Sequence, residues 1–396
     1  MSARFLLGLP FAILLSAAGY DNVSLTVGPE RIIIPRGLQA YVYQARNGTL
    51  VAQGALPLPD GSEPPTPCSG WYPATIRSTD KGQTWTEWKP AATAGRGPIF
   101  EGTGMELQDG TTVLLNRFAE GPDAKGDAVT QRWTSTDQWK TLQGPYESRL
   151  HLPRVNAKNR ADNGNSCGGV VLHRVMLENT DGSLFTTAYG SFIDDTTPSA
   201  YQPSMMESRS LLLRSTDKGA TWNLVSTIAS DTSVEPDIGE EGYGEPALIR
   251  LAQGPHKGRM IVHIRVGRFH PVYQTESDDD GKTWTTVHPL AFHGVDPDLI
   301  EMQDGTLVAA FGWRSRGVPD RMSPRLGSYL AFSFDQGVTW SQITQITNEL
   351  TTSYVAVKEV EPGKLLVIYD KGWWRRPGRA VAQRFINVER KTFVDR

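Results

Sequence analysis

Apolar runs along this chain come in pairs, and each pair is broken by a turn that carries glycine. The leading runs read LQAYVY, GMEL, GGVVLHRVML, PALIRL, PDLIEM and YVAVKEV. Their partners TLVA, TTVLL, SLFTT, RMIVHI, TLVAAF and KLLVIY follow Asn47-Gly48, Asp109-Gly110, Asp181-Gly182, Lys257-Gly258, Asp304-Gly305 and Pro362-Gly363. Short runs rich in β-branched and aromatic residues, bounded by turn residues, predict strands. Asx-Gly between two of them predicts a hairpin. Six hairpins are predicted.

Five of the six lead into an octapeptide of pattern S-x-D-x-G-x-T-W. Four copies are complete, at Ser78–Trp85, Ser215–Trp222, Ser277–Trp284 and Ser333–Trp340. The fifth, Ser135–Leu142, keeps Ser135, Asp137 and Thr141 but has Trp139 for the glycine and Leu142 for the tryptophan. The chemistry is that of a self-contained turn: Asp bonds backbone amides across the loop, Gly takes a positive φ, and Trp anchors the loop on apolar neighbours. The motif is therefore structural.

A repeat at this period means like modules, here six of four strands each. The predicted fold is all-β, a six-bladed β-propeller, closed by an N-terminal strand near VSLTV or RIII. The gaps 142–180 and 223–256 leave room for a seventh blade. The 396 residues suit one propeller, and no change in composition marks a second domain, so 20–396 is read as one unit.

Residues 1–19 carry Arg4, the stretch FLLGLPFAILL and then Ser16-Ala17-Ala18, which predicts a signal peptide and secretion. The sequons Asn22-Val-Ser24 and Asn47-Gly-Thr49 agree with an extracellular glycoprotein. Net charge is -3 with both signs spread evenly. No basic block points to nucleic acid, and no polybasic patch or second long apolar stretch points to a membrane. In an oxidising compartment Cys68 and Cys167 pair most simply as one disulfide, closing a loop worth up to ~4–5 kcal/mol in the chain-entropy model. No Cys or His pair has ligand spacing, so neither metal nor cofactor is expected. The acidic stretch Asp231–Glu241 matches no ligand loop and reads as solvated. A monomer is expected.

In an antiparallel hairpin the start of the first strand and the end of the second share one face of the disc. At the starts stand Arg36, Glu101, Glu245, Asp296 with Asp298, and Tyr354. At the ends stand Arg117, Tyr189, Arg265 with Arg268, Arg314 with Arg316, and Asp370. Arginines and carboxylates thus recur at mouth positions. A guanidinium fork matches a carboxylate and stays charged, so the cluster predicts an acidic ligand, with Trp71, Trp313, Trp373 and Trp374 available to stack on sugar rings.

With these residues in view the chain resembles the sialidase (neuraminidase) superfamily of propellers with Asp-box (BNR) repeats, over nearly all of its length after the leader. The carriers are Gly244-Glu245-Pro246-Ala-Leu with His263-Ile-Arg265 in the fourth blade, FGWRSR with Arg314 in the fifth, and Thr352-Ser353-Tyr354-Val355-Ala356 in the sixth. Arg316, Arg321 and Arg325 are rivals to Arg314. The resemblance implies an exo-acting glycoside hydrolase on a terminal acidic sugar of a glycan. Tyr354 would attack the anomeric carbon while Glu245 draws off its proton, and Arg265 and Arg314 would hold a carboxylate. The family's Arg-Ile-Pro segment is replaced by Pro35-Arg36-Gly37, with Arg36 the candidate. Its acid/base Asp has no clean match; Asp60 or Glu63 would fill the role. Two other functions stay open on the same scaffold. One is a polysaccharide lyase on a uronic-acid glycan of rhamnose–glucuronate type, with His151 or His173 as extra candidates. The other is a non-catalytic sugar-binding propeller.

Overall fold

The computed structural model describes residues 20–56, 72–87, 103–121, 126–152, 154–156, 169–200, 205–230, 241–314, 325–373 and 377–393. These form β-strands joined by turns and loops. Leu38–Gln44, Leu50–Leu56, Tyr72–Ser78 and Thr86–Glu87 make the first antiparallel meander, strand beside strand in chain order. Gly244–Arg250 through His288–His293, and Val295–Glu301 through Ser341–Thr347, repeat it as the fourth and fifth units. The second and third units begin at Gly104–Glu106 and Val170–Glu178 and are fused into one sheet. Their outer strands, Gln143–His151 and Thr221–Ala229, pair in parallel, with Arg149 opposite Thr221 and Leu150 opposite Trp222. In the sixth unit, Val355–Glu361, Lys364–Lys371 and Ala380–Phe393 are completed by Tyr20–Val27, so an N-terminal strand closes the last sheet. Arg31–Ile34 pairs with the same C-terminal strand. Both stretches predicted to close the fold therefore do so.

The first strand of each unit lies against that of the next, around to the start, which makes a propeller. No unit has a core of its own. Leu107, Val113, Leu172 and Trp222 of the second and third units share one cluster, and Leu212, Tyr243, Leu248 and Val262 join the third to the fourth. Inner strands buried on both faces explain why their sequences are continuous apolar runs rather than alternating ones.

All five octapeptides form the same turn. In the first, Ser78 Oγ donates to Asp80 Oδ1 at 2.7 Å and accepts from the Gly82 amide at 2.8 Å, and the Thr84 amide donates to Asp80 Oδ1 at 2.8 Å. The turn needs two successive left-handed residues, such as Lys81 at φ 60° and Gly82 at φ 88°. Each loop grips the preceding unit. Trp85 Nε1 donates to Gln383, Trp284 Nε1 to Ser226 and Trp340 Nε1 to Gln274, at 2.7–2.9 Å. The loops also meet the hairpin turns, as where Asn47 Nδ2 donates to Gln138 Oε1 at 2.6 Å. They therefore occupy the face opposite the starts of the inner strands, clear of any site there.

The degenerate copy shows why its substitution survives. Trp139 takes the glycine's place at φ 70°, and its side chain is fully buried against Tyr43, ring centroids 4.7 Å apart. The tryptophan has moved three positions back and fills the apolar slot from there. A left-handed non-glycine residue costs about 1–2 kcal/mol, whereas emptying a buried tryptophan site costs about 3–5 kcal/mol. Packing wins. Trp139→Gly should relieve the backbone yet lower stability by about 2–3 kcal/mol, as read from the midpoint of urea unfolding.

Candidate functional site

The fold brings the starts of the inner strands together at one end of the axis, and several begin with a defect. Register slips between Leu38 and Tyr41, between Gly244 and Ala247, and between Val295 and Asp298. At each slip one residue has a positive φ: Gln39 at 54°, Glu245 at 45° and Asp296 at 50°. A bulge re-aims its side chain, and strained non-glycine residues of this kind cluster at functional sites in proteins generally. Ser353, just before Tyr354, stands at φ 78°.

The bulged carboxylates reach sideways to the next inner strand. Glu245 Oε2 accepts from the Asp296 amide at 2.8 Å, Asp296 Oδ2 from the Val355 amide at 3.3 Å, and Asp298 Oδ2 from the Val357 amide at 2.9 Å. Asp370 Oδ2 accepts from the Gln39 amide at 2.7 Å, which carries the stitching from the sixth unit to the first. Asp370 also holds the segment before Tyr354, through Thr351 Oγ1 at 2.5 Å and the Thr352 amide at 2.9 Å. Burial pushes its carboxyl up, against the pull of those donors.

Side chains from units that are not ring neighbours meet on the axis. Tyr354 Oη, from the sixth unit, donates to Glu245 Oε1 of the fourth at 3.0 Å. Arg265 Nη1 donates to the same oxygen at 2.7 Å, and Arg265 Nη2 donates to Glu241 Oε1 at 2.5 Å. Arg314 donates to the Thr352 carbonyl through Nη2 at 2.6 Å and lies 5.8 Å from the Trp373 ring. Burial pushes Glu245 up. The fields of Arg265, His173 and Arg314 and the Asp296 amide outweigh it and bring the carboxyl down to about 2. Glu245 is thus ionised at neutral pH and accepts a hydrogen bond from the tyrosine hydroxyl.

Beneath this centre lies an ionic cluster whose His173, Arg174, Asp296 and Asp298 are buried. In the third unit the register slips between His173 and Met176, with Arg174 at φ 25° and Val175 at φ 84°. The bulge sends both His173 and Arg174 across the axis to the fifth unit. His173 Nε2 lies 3.1 Å from Asp296 Oδ1, Arg174 Nε donates to that oxygen at 3.2 Å, and Arg174 Nη2 donates to Asp296 Oδ2. Arg174 Nη1 is 3.4 Å from Asp298 Oδ2, and Lys358 Nζ adds a second cation 3.6 Å from it. Tyr41 offers its ring to Arg174 at 5.5 Å.

The predicted residues divide clearly. Tyr354, Glu245, Arg265, Arg314 and Asp296 come together. Asp296 has its carboxylate on His173 and Arg174, and its amide donates to Glu245. Arg117 is buried beside the Phe118 ring at 4.5 Å, and its carbonyl accepts from the Leu172 amide where the second and third units meet. Arg36 is solvent-exposed ahead of the first inner strand. His151 lies apart from the centre, at the end of an outer strand, with Nδ1 2.7 Å from Asp127 Oδ1. Asp60, Glu63, Cys68, Trp71, Glu101, Cys167, Arg316, Arg321 and Trp374 fall outside the described residues. Glu241, in a stretch expected to be solvated, is instead mostly buried and ion-paired. Arg174 was not anticipated. Its signal was His173-Arg174 interrupting an otherwise apolar inner strand.

Comparison with known proteins follows the same outline. The family model described as a BNR repeat-like domain matches residues 103–367. Among curated proteins no sequence matches the chain. A Dyadobacter fermentans protein of unknown function is similar in structure, with TM-score 0.67 and 19% identity over 92% of this chain and 99% of that one. A Penicillium chrysogenum α-L-arabinanase complexed with arabinobiose gives 0.57 and 17%, covering 93% and 98%. The Hadza microbial sialidase Hz136 gives 0.57 and 14%, covering 88% and 65%. At these identities the likeness is one of fold.

Removing the central cation should be costly. Arg174→Ala leaves Asp296 and Asp298 buried without their main counter-charge, and stability should fall by about 3–5 kcal/mol in denaturant unfolding. A change under 1 kcal/mol would mean that water reaches the cluster.

Proposed function

The chain belongs to the BNR repeat-like domain family, the Asp-box propellers of the sialidase superfamily, and on that premise we propose that it is an exo-acting glycoside hydrolase. Its target is a terminal acidic sugar on a glycan. The observation that carries this reading is the 3.0 Å contact between Tyr354 Oη and an ionised Glu245. A phenol is a weak nucleophile near neutrality, its ordinary pKa being about 10. A carboxylate that accepts its proton in the transition state removes that handicap. Tyr354 Oη then bonds the anomeric carbon as the bond from that carbon to the glycosidic oxygen breaks, its pair going to the oxygen, which takes a proton from the general acid; the phenol proton passes to Glu245, and water later releases the sugar. A neutral phenol also approaches an anionic sugar without the repulsion that a carboxylate nucleophile would meet.

Arg314 and Arg36 are the cations available for the substrate's acidic group. Trp313 is packed by His293 at 5.2 Å and by the Arg325 guanidinium at 5.7 Å, so Trp373, 5.8 Å from Arg314, is the candidate apolar face for a sugar ring. Asp60, outside the described residues, is the candidate acid from the sequence. The leader-like residues 1–19 and the two sequons support a reading of the protein as secreted, and its proposed state is a monomer.

One feature favours a second reading. Arg265 faces two carboxylates of the chain itself, so it brings no net positive charge to the mouth. A neutral sugar would suit that balance, with Glu245 itself as nucleophile. The fold likeness to the α-L-arabinanase adds an arabinofuranoside to the candidates.

A panel of 4-nitrophenyl glycosides of N-acetylneuraminic acid, D-glucuronic acid and L-arabinofuranose separates the two. Hydrolysis of an acidic member but not the neutral one supports the first reading. Tyr354→Phe should then lose ~10³-fold or more in kcat/KM while thermal unfolding is unchanged. Turnover within tenfold of the parent would pass the nucleophile role to Glu245. Arg314→Ala should raise KM for the acidic glycoside by roughly 10–100-fold, the worth of one charged hydrogen bond. An equal rise on a neutral glycoside would show that Arg314 does not read the charge.

A further inference from the structure

We propose that Glu241 is the general acid/base of this site. This rests on the hydrolase reading, and it assigns the proton donor to a residue within the folded centre rather than to Asp60.

The geometry supplies the case. Glu241 and Glu245 sit on separate nitrogens of one guanidinium, at 2.5 and 2.7 Å. Arg265 therefore spaces two carboxyl groups on opposite prongs of a planar fork. Their side chains differ in access: that of Glu241 is 13% exposed and that of Glu245 only 6%. Glu241 is thus the more accessible of the two to a leaving group.

Its backbone is fixed in place. The Ser208 amide donates to the Glu241 carbonyl at 2.9 Å, and the Tyr243 amide donates to the Ser208 carbonyl at 2.7 Å. Gly242 between them has φ 72°, and a Cβ there would come within 2.5 Å of the Ser208 amide nitrogen. Only glycine permits this approach, so the backbone beside the Glu241 carboxyl is held by the single bridge between Gly242 and Ser208. An acid held in this way needs no reorganisation when the leaving group departs.

The two environments then part the two groups. Burial pushes Glu241 up, and Glu245 pushes it further the same way, against the pull of Arg265 and Arg314. Glu245 is held down. Paired carboxyls driven in opposite directions are the arrangement that runs acid and base chemistry side by side.

The steps balance. Glu241 Oε1 is engaged by Arg265, so the proton resides on Oε2. As the bond from the anomeric carbon to the glycosidic oxygen breaks, its electron pair goes to that oxygen, which takes the Glu241 proton. Tyr354 Oη bonds the carbon and gives its proton to Glu245. In the return half, Glu241 takes a proton from water as the water oxygen bonds the carbon and the bond from that carbon to Tyr354 Oη breaks, its electron pair going to Oη, which recovers its proton from Glu245.

A general acid is needed most where the leaving group is poor. The test compares Glu241→Gln with the parent on the 4-nitrophenyl and the methyl glycosides of the same three sugars, reading kcat/KM. We expect a loss under tenfold on the 4-nitrophenyl glycoside and of 10²-fold or more on the methyl glycoside. Glu241→Ala should in addition be accelerated by sodium azide and form the glycosyl azide, since a small anion can replace the missing base. Equal losses on both leaving groups without azide rescue would overturn the assignment, leaving Glu241 as a mere counter-ion of Arg265. So would the same leaving-group split in Asp60→Asn with none in Glu241→Gln. A parent protein that hydrolyses no member of the panel would instead remove the hydrolase reading itself.

Discussion

A buried guanidinium must be neutralised where it lies, and the centre of this propeller is organised around meeting that demand. Arg174 is 1% exposed and reaches across the axis to Asp296 and Asp298. Neither carboxylate ends there, because each also accepts an amide of the sixth unit's inner strand. The charge thereby links the third, fifth and sixth units through a region where apolar packing alone would give little directional preference. Desolvating these charges is expensive, and only bidentate geometry together with the extra amide bonds makes the arrangement tolerable. The reward is specificity: one relative placement of the units satisfies every member.

The same cluster explains why the centre above it is rigid. Asp296 holds its strained backbone because its side chain is pinned by Arg174 and His173. With that backbone fixed, its amide points at Glu245 Oε2. Glu245 is therefore aimed at Tyr354 by a chain of contacts that starts in another unit. Strain at Glu245, Asp296 and Ser353 is maintained by these over-determined hydrogen bonds.

Much of this could be read from the sequence, for a physical reason. Turn chemistry is local, so Asx-Gly steps and octapeptides announce the hairpins directly. Even the degenerate copy at Ser135–Leu142 folds as its intact relatives do, since Ser135, Asp137 and Thr141 carry the hydrogen bonds. Glu245, Arg265 and Tyr354 were legible because hairpin geometry fixes which strand ends share a face. Arg174 and Glu241 were not, because their roles depend on contacts between units distant in sequence. Arg174 lies mid-strand, where a bulge rather than any strand end turns it inward. Glu241 follows an acidic stretch whose composition suggests solvent, and only its approach to Arg265 reveals otherwise. His151 misled for the converse reason: its strand end lies on the right face, but that strand is the outermost of its unit.

The pairing of Tyr20–Val27 with Ala380–Phe393 has a bearing on how the molecule is made. The earliest described strand finds its partner only after every other described strand has been made. Throughout elongation its edge stays open to other chains, as an unpaired strand is prone to be. Ring closure is then a single late event, and until it happens a nascent chain holds neither the completed sixth sheet nor a Tyr354 locked opposite Glu245.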